Sequence, residues 1–375
     1  MDYQLALVLI TLVFIASFVS VETAISVTIV EIAMGIIGGN FLGLHTVPWV
    51  DFLAGFASVL LTFLAGAEVD PDIMKQKLKE SILIGGFSFL LPGLAAFAYT
   101  YWIAGWSLQA AEIAGVALST TSLAVVYAVL VETGLTNTEL GKIIMASCFI
   151  TDMGTVLALS LLFADYSWTT LIFLFGSIAI IMVAPKIIPI VFDRYGDRVI
   201  EPEIKFLFLL LFAFMYLANV GAGHAVLPAF VLGLVLSRTF SQYAAVQRKL
   251  RIVAFAMLTP FFFIKAGMNV SLPGIYANLG LLTFLFLVKV AAKIIGVYPF
   301  ARAYIKESAT YTTLLMSTGL TFGTISSMFG LSMGFIDATQ FSLLVAAVVL
   351  SAIIPTYIAQ RWFEPRHLLY EDNNI

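Results

Sequence analysis

The sequence is poor in charged residues and in the side chains that build disulfides or metal sites. Only 11% of its 375 residues are charged, with one cysteine, Cys148, and three histidines. A soluble domain of this length would carry roughly 25% charged residues. The single cysteine excludes an internal disulfide, and no cluster of Cys and His suggests a bound metal or other cofactor. Nothing in the composition points to a nucleic acid as a partner.

Apolar residues make up most of the chain. Hydrophobic residues make up 61% of the chain, and the mean hydropathy is +1.03. Runs of about 20 apolar residues, the length that crosses a bilayer, follow one another almost without pause. This pattern predicts an all-α polytopic membrane protein with about 13 transmembrane helices. The predicted spans are Tyr3–Ser20, Val27–Leu44, Val50–Ala67, Ser81–Ala104, Ala111–Val131, Gly141–Phe163, Trp168–Val191, Lys205–Val220, Val226–Phe240, Val253–Val270, Leu279–Ala301, Ser308–Gly330 and Phe335–Ile358.

The distribution of basic residues orients these spans. Apart from three lysines inside spans, the Lys and Arg residues fall on alternate sides in this count and share one face. Examples are Lys77, Arg194, Arg251, Arg302 and Arg361. Because cytoplasmic loops carry an excess of Lys and Arg, the pattern predicts a cytoplasmic C-terminus and an N-terminus outside, in a plasma or inner membrane.

Two stretches of the chain resemble each other. Phe63–Asp70 is similar to Phe262–Asn269, which begins 199 residues later (63 to 262), and Gly35 falls opposite Gly233 at nearly the same offset. Six spans, a linking seventh span and six more would place the second half inverted relative to the first. Inverted repeats with interrupted helices are typical of transporters. Chance matching of Gly- and Phe-rich helices is the alternative.

Two of the predicted spans carry clusters of small polar residues at their centres. Span 5 contains Ser119, Thr120, Thr121 and Ser122, and span 12 contains Ser317, Thr318 and Gly319. Such residues compete for backbone hydrogen bonds and support an unwound segment, which survives at membrane depth only where it lines a cavity. Close helix packing is the alternative. The matching positions favour a crossed pair of discontinuous helices.

A lone carboxylate, Asp152, lies inside the sixth span. An ionised carboxylate within a bilayer is costly, so one that is present is expected to bind a cation, carry a proton, or do both in turn. We expect Asp152 to hold Na⁺ or K⁺. The ion or proton site is predicted to comprise Asp152, Thr151, Thr120, Thr121 and Ser122. A structural pair with Lys289 or Lys293, which share a helix face four residues apart, is the alternative.

Two further polar residues inside spans are possible site residues. Glu31 in span 2 is either a packing residue or a functional carboxylate. Lys265 in span 10 occupies the repeat position of Gly66 and is either a structural cation or part of an ion path. The sequence leaves both roles open.

Several motifs together resemble the monovalent cation/proton antiporters, in the branch of the Kef-type and Nap-type exchangers. They include Glu31 to Gly35 of span 2 and the FLAGxE pattern, Phe63 to Glu68. LPAFVLGLVLS and TPFFFIKAGMNVSL follow in spans 9 and 10. ALSTTSLAVVYAVLVETG then precedes the helix that carries Asp152. The resemblance covers nearly the whole chain, in order and spacing.

The resemblance implies that some helices form a dimerisation scaffold and others a moving core. Residues 1–70 and 203–271 would form a dimerisation scaffold, 80–163 and 278–360 a moving core, and 168–193 a linker helix. It implies a homodimer in membrane lipid, Asp152 as the ion-binding aspartate, and Lys293 rather than Lys289 as the core lysine. Ser317, Thr318 and Gly319 would support that core. Thr151 departs from the family, whose members place Asp, Asn or Gln before the ion-binding aspartate.

These observations predict a secondary-active antiporter that exchanges Na⁺ or K⁺ for H⁺ by elevator-type alternating access and serves pH homeostasis. A K⁺/H⁺ efflux antiporter and a sodium-coupled symporter of an organic anion remain alternatives. A hydrolase is disfavoured because none of the three histidines lies within a predicted span, so no intramembrane Ser–His pair is available. The physiological cation, the stoichiometry and the direction of exchange remain open.

Overall fold

A computed structural model describes residues 3–23, 25–69, 76–136, 138–163, 168–196, 198–221 and 224–365. These residues form helices joined by short turns and bends. Among the described residues, eleven helical spans are long and apolar enough to cross a membrane, and two of these, Leu108–Val131 and Lys306–Ser332, are interrupted. Two shorter apolar helices are Val27–Phe41 and Val226–Gln242. The predicted all-helical, multi-pass membrane fold is therefore confirmed. The two shorter helices coincide with two of the thirteen predicted spans.

The helices are numbered here in chain order. They are α1 Tyr3–Thr23, α2 Val27–Phe41, α3 Pro48–Ala67, α4 Leu78–Ala98, α5 Leu108–Ser119, α6 Leu123–Glu132, α7 Glu139–Leu162, α8 Trp168–Tyr195, α9 Pro202–Val220, α10 Val226–Gln242, α11 Ala244–Met268, α12 Leu272–Ala277, α13 Leu279–Tyr304, α14 Ala309–Met316, α15 Thr321–Ser332 and α16 Ala338–Trp362. Helix α4 continues as a π-helical turn over Tyr99–Ile103.

The chain divides into two compact units. Unit 1 comprises 1–38, 43–71 and 159–268, and unit 2 comprises 39–42, 72–158 and 269–375. Unit 1 therefore holds α1, α3 and α8–α11 together with most of α2. Unit 2 holds α4–α6, most of α7 and all of α12–α16.

Glycines set the helix crossings inside unit 1. A Cβ on Gly66 of α3 would overlap the carbonyl oxygen of Phe230 on α10, and one on Gly233 of α10 would overlap the carbonyl oxygen of Phe63 on α3. Helices α2 and α11 meet in the same way through Gly35 and Gly267. Small residues let helix backbones approach closely where lipid supplies no hydrophobic driving force.

In unit 2 the long helices α4 and α13 pack along each other, and two helices are interrupted. The chain leaves the helical conformation between α5 and α6, at residues 120–122, and between α14 and α15, at residues 317–320. We call these segments the first break and the second break. Both fall on the polar clusters from which interruption was predicted.

Candidate ion site at the two breaks

Local chemistry explains the first break. Thr120 adopts an extended conformation, with φ −64° and ψ 153°. The hydroxyls of Ser119 and Thr120 donate to the carbonyl oxygens of Val116 and Ala117, at 2.7 and 3.0 Å. Ser122 then begins α6 by accepting from the backbone N–H of Val125 at 3.4 Å. Hydroxyl side chains thus compete with the backbone at the end of α5 and cap the start of α6.

The two breaks contact each other. The Ser122 N–H donates to the carbonyl oxygen of Thr318 at 3.1 Å, and the Thr121 hydroxyl donates to the carbonyl oxygen of Met316 at 3.0 Å. Ser351 of α16 adds a longer bond, 3.4 Å, to the Gly319 carbonyl oxygen. Backbone groups that no helix satisfies are therefore partly satisfied by the opposite break, as a water-free interior requires.

Two lysines on α13 reach the first break. The Lys293 ammonium donates to Ser88 Oγ at 2.8 Å, to the Ser119 carbonyl oxygen at 2.8 Å and to Thr121 Oγ1 at 2.9 Å. The Lys289 ammonium donates to the Thr120 carbonyl oxygen at 3.4 Å. Both side chains are completely buried. Because Ser119 is the last residue of α5, Lys293 lies at the negative end of that half-helix.

Asp152 lies on α7 in the same unit. Its side chain is 1% exposed, and Cys148, one turn earlier on α7, places its thiol 3.8 Å from the sulfur of Met316 at the end of α14. The neighbouring Thr151 is fully buried, and its hydroxyl donates to the Cys148 carbonyl oxygen at 2.7 Å. Thr155 repeats this bond one turn later, to the Thr151 carbonyl oxygen at 2.9 Å. Asp152 is thus a buried carboxylate, and Thr155, three residues later, lies on the same face of α7.

Unit 2 therefore contains most of the residues that the sequence singled out. These are Asp152, Thr151, Thr120, Thr121, Ser122, Lys289, Lys293, Ser317, Thr318 and Gly319.

Glu31 and Lys265 belong to unit 1. Glu31 is 3% exposed on α2. Lys265 lies on α11 and forms an ion pair of 2.7 Å with Asp51 at the start of α3. The ion pair gives Lys265 a structural partner within its own unit.

Three residues of the site were not foreseen from the sequence. Ser88 on α4 accepts from Lys293 and lies 3.4 Å from the Thr121 hydroxyl. Met316 places its sulfur 3.8 Å from the Cys148 thiol, and Ser351 supports the second break. The only signal for Ser88 is a hydroxyl residue within an apolar helix, which is common in membrane proteins and carries little information.

Interrupted helices that bring charged groups together inside a membrane are the architecture of ion-coupled transporters. This chain belongs to the sodium/hydrogen exchanger transmembrane family, whose model matches residues 5–364. The membership among monovalent cation/proton antiporters that the motifs predicted is therefore confirmed.

Individual relatives agree with the family. The chain is 25% identical to a probable Na⁺/H⁺ antiporter 3 of Methanocaldococcus jannaschii over 90% of this chain and 89% of that protein. It is 24% identical to the Na⁺/H⁺-K⁺ antiporter GerN of Bacillus cereus over 85% of this chain and 86% of that protein. The fold is similar to that of the sodium proton antiporter MjNhaP1 from M. jannaschii at pH 8. The TM-score is 0.69 at 16% identity, over 96% of this chain and 98% of that one.

Proposed function

We propose that this protein exchanges Na⁺ or K⁺ for H⁺ and that Asp152 is the carboxylate that the two substrates share. The observation that carries the proposal is a carboxylate, buried to 1% exposure, in the compact unit that also contains both interrupted helices, in a chain of the exchanger family. A carboxylate in such a place is stabilised either by a bound cation or by a proton. Binding one substrate therefore displaces the other, and that competition produces exchange.

Buried hydroxyls of the same unit would complete the oxygen shell of the cation. Thr120, Thr121, Ser122 and Thr151 are buried, and oxygen atoms are the ligands that hard cations prefer. The carbonyl oxygens of Ser119 and Thr120 already accept bonds from the lysines. The cation would therefore share this break with two positive groups, and Lys293, Ser317, Thr318 and Gly319 would support the core around it.

Which cation the site takes is a separate part of the proposal. GerN carries both Na⁺ and K⁺ in its name, which supports testing both ions. The two buried ammonium groups are the feature that favours the rival function, a sodium-coupled symporter of an organic anion. Against that rival, Lys293 already bonds three oxygen atoms of the protein and offers little to a substrate.

We also propose elevator-type transport by a homodimer in the cell membrane. Unit 2 would be the moving core, and unit 1 the dimerisation scaffold, with the C-terminus in the cytoplasm. The glycine crossings of unit 1 support an inverted repeat, because α2 packs on α11 while α3 packs on α10. The first helix of one set thus pairs with the second helix of the other, as a two-fold axis in the membrane plane would require.

The test is exchange by the purified protein in proteoliposomes. Asp152→Asn keeps the size of the side chain and removes its charge, so the variant is expected to fold and to show no pH change on addition of Na⁺, K⁺ or Li⁺. Asp193→Asn is the matched control, since Asp193 is exposed at the end of α8 in unit 1. Exchange retained in Asp152→Asn would refute the assignment. Cation addition without proton movement in the unmodified protein would favour the symporter.

A further inference from the structure

We propose that Lys289 is a positioning residue of the cation site, acting as a tethered cation that holds the Thr120 carbonyl oxygen until the transported ion takes it. Gly319 makes this possible by leaving room for the ammonium between the two breaks. The proposal rests on the function proposed above, in which Thr120 contributes to the ion shell. Competition between Lys289 and the transported cation would then set the affinity of the site for that cation.

The geometry around Gly319 points to this role. A Cβ at position 319 would overlap the Lys289 ammonium nitrogen, and it would lie 2.8 Å from Thr120 Oγ1 and 2.9 Å from the Thr120 carbonyl oxygen. The ammonium therefore fills the space beside the Gly319 Cα and touches both breaks at once. Any side chain at position 319 would displace it. Glycine is required here by this close approach.

The two buried lysines differ in how firmly they are held. Lys293 uses three bonds of 2.8 to 2.9 Å, which match the three donors of an ammonium group. Lys289 has one bond to Thr120, at 3.4 Å, which is longer than an ordinary N–H···O bond. Lys293 is thus fixed to the protein, whereas the hold of Lys289 on Thr120 is weak enough for a cation to replace it.

Removing the ammonium of Lys289 isolates its contribution. Lys289→Met keeps an unbranched apolar chain and deletes the nitrogen atom. With one like charge removed from the site, the KM for the transported cation should fall about tenfold. A lysine that served only packing would lower the maximal rate or the yield of folded protein and would leave KM unchanged. Initial rates at a series of Na⁺, K⁺ and Li⁺ concentrations separate the two quantities.

A double variant tests the contact itself. Gly319→Ala should lower both the melting temperature and the maximal rate, because its methyl group displaces the Lys289 ammonium. Adding Lys289→Met removes the atom in the way and should restore part of both losses. Gly323→Ala is the matched control, since its methyl group would meet Val348 and Ala117 rather than the lysine. Lys289→Met should therefore leave the losses of Gly323→Ala as they are.

The outcomes separate this proposal from the proposed function. An unchanged KM in Lys289→Met, or equal rescue of Gly319→Ala and Gly323→Ala, would overturn the role of Lys289. Both results require an unmodified protein that exchanges cations and an Asp152→Asn variant that does not. If Asp152→Asn exchanges normally, the proposed function fails instead. Melting temperatures in detergent report the contact between Lys289 and Gly319 whatever the transport result.

Discussion

Replacing Lys293 by methionine should cost far more stability than the same replacement at Lys289. Lys293→Met removes three bonds between an ammonium group and buried oxygen atoms. At about 1.5 kcal/mol each these contribute about 5 kcal/mol. Removing the buried ammonium also removes its desolvation penalty, so the free energy of unfolding should fall by about 3 kcal/mol in total. Lys289→Met removes one bond of 3.4 Å and should cost less than about 1 kcal/mol.

Thermal unfolding in detergent measures this difference. For a chain of this size a loss of about 3 kcal/mol corresponds to a melting temperature lower by roughly 4 °C, and less than about 1 kcal/mol to a shift of about 1 °C at most. The two variants make the same chemical change on the same helix face, so they are controls for each other. Equal destabilisation would mean that the three bonds of Lys293 do not stabilise the first break, and the account of this lysine would be wrong.

Three other predictions follow from the charges and the packing. Exchange should be electroneutral, because Asp152 alone exchanges one proton for one cation; a rate that follows a clamped membrane potential in proteoliposomes would contradict this. Gly66→Ala should lower the melting temperature, whereas Gly55→Ala, whose methyl group would meet nothing within 4 Å, should not; equal effects would refute the crossing as the cause. Asp51→Asn should destabilise the protein by about 1 kcal/mol, because the partly buried Lys265 loses the charge of its partner; an unchanged melting temperature would exclude that contribution.

The broken helices could be predicted because their cause is local. Ser119 and Thr120 bond to carbonyl oxygens of the preceding turn, and Ser122 caps the next helix. Each of these bonds spans three residues, so the run of hydroxyl residues is visible in the sequence alone. Composition fixed the class of fold for a similar reason, since the length of an apolar run is set by the bilayer.

The partners of the lysines could not be predicted in the same way. The sequence indicated that Lys289 and Lys293 share a helix face, but it offered either of them to Asp152. In the structure Lys293 bonds Ser88 and Ser119, which are about 200 and 170 residues away along the chain. Such pairs depend on which helices pack together. The bounds of the helices could not be predicted accurately either. Helix α11 begins at Ala244, nine residues before the predicted start of span 10.

Neutral oxygen atoms accept all three bonds of the Lys293 ammonium group, and the residue before Asp152 is the uncharged Thr151. Thr151 donates its hydroxyl to the Cys148 carbonyl oxygen of its own helix. The three acceptors of Lys293 are two hydroxyls and the last carbonyl of α5. Its positive charge is balanced by the negative end of a half-helix rather than by a second acid. Under the proposed function, Asp152 is then the residue at which a proton and a cation compete, and that is the reason for expecting one proton for each cation.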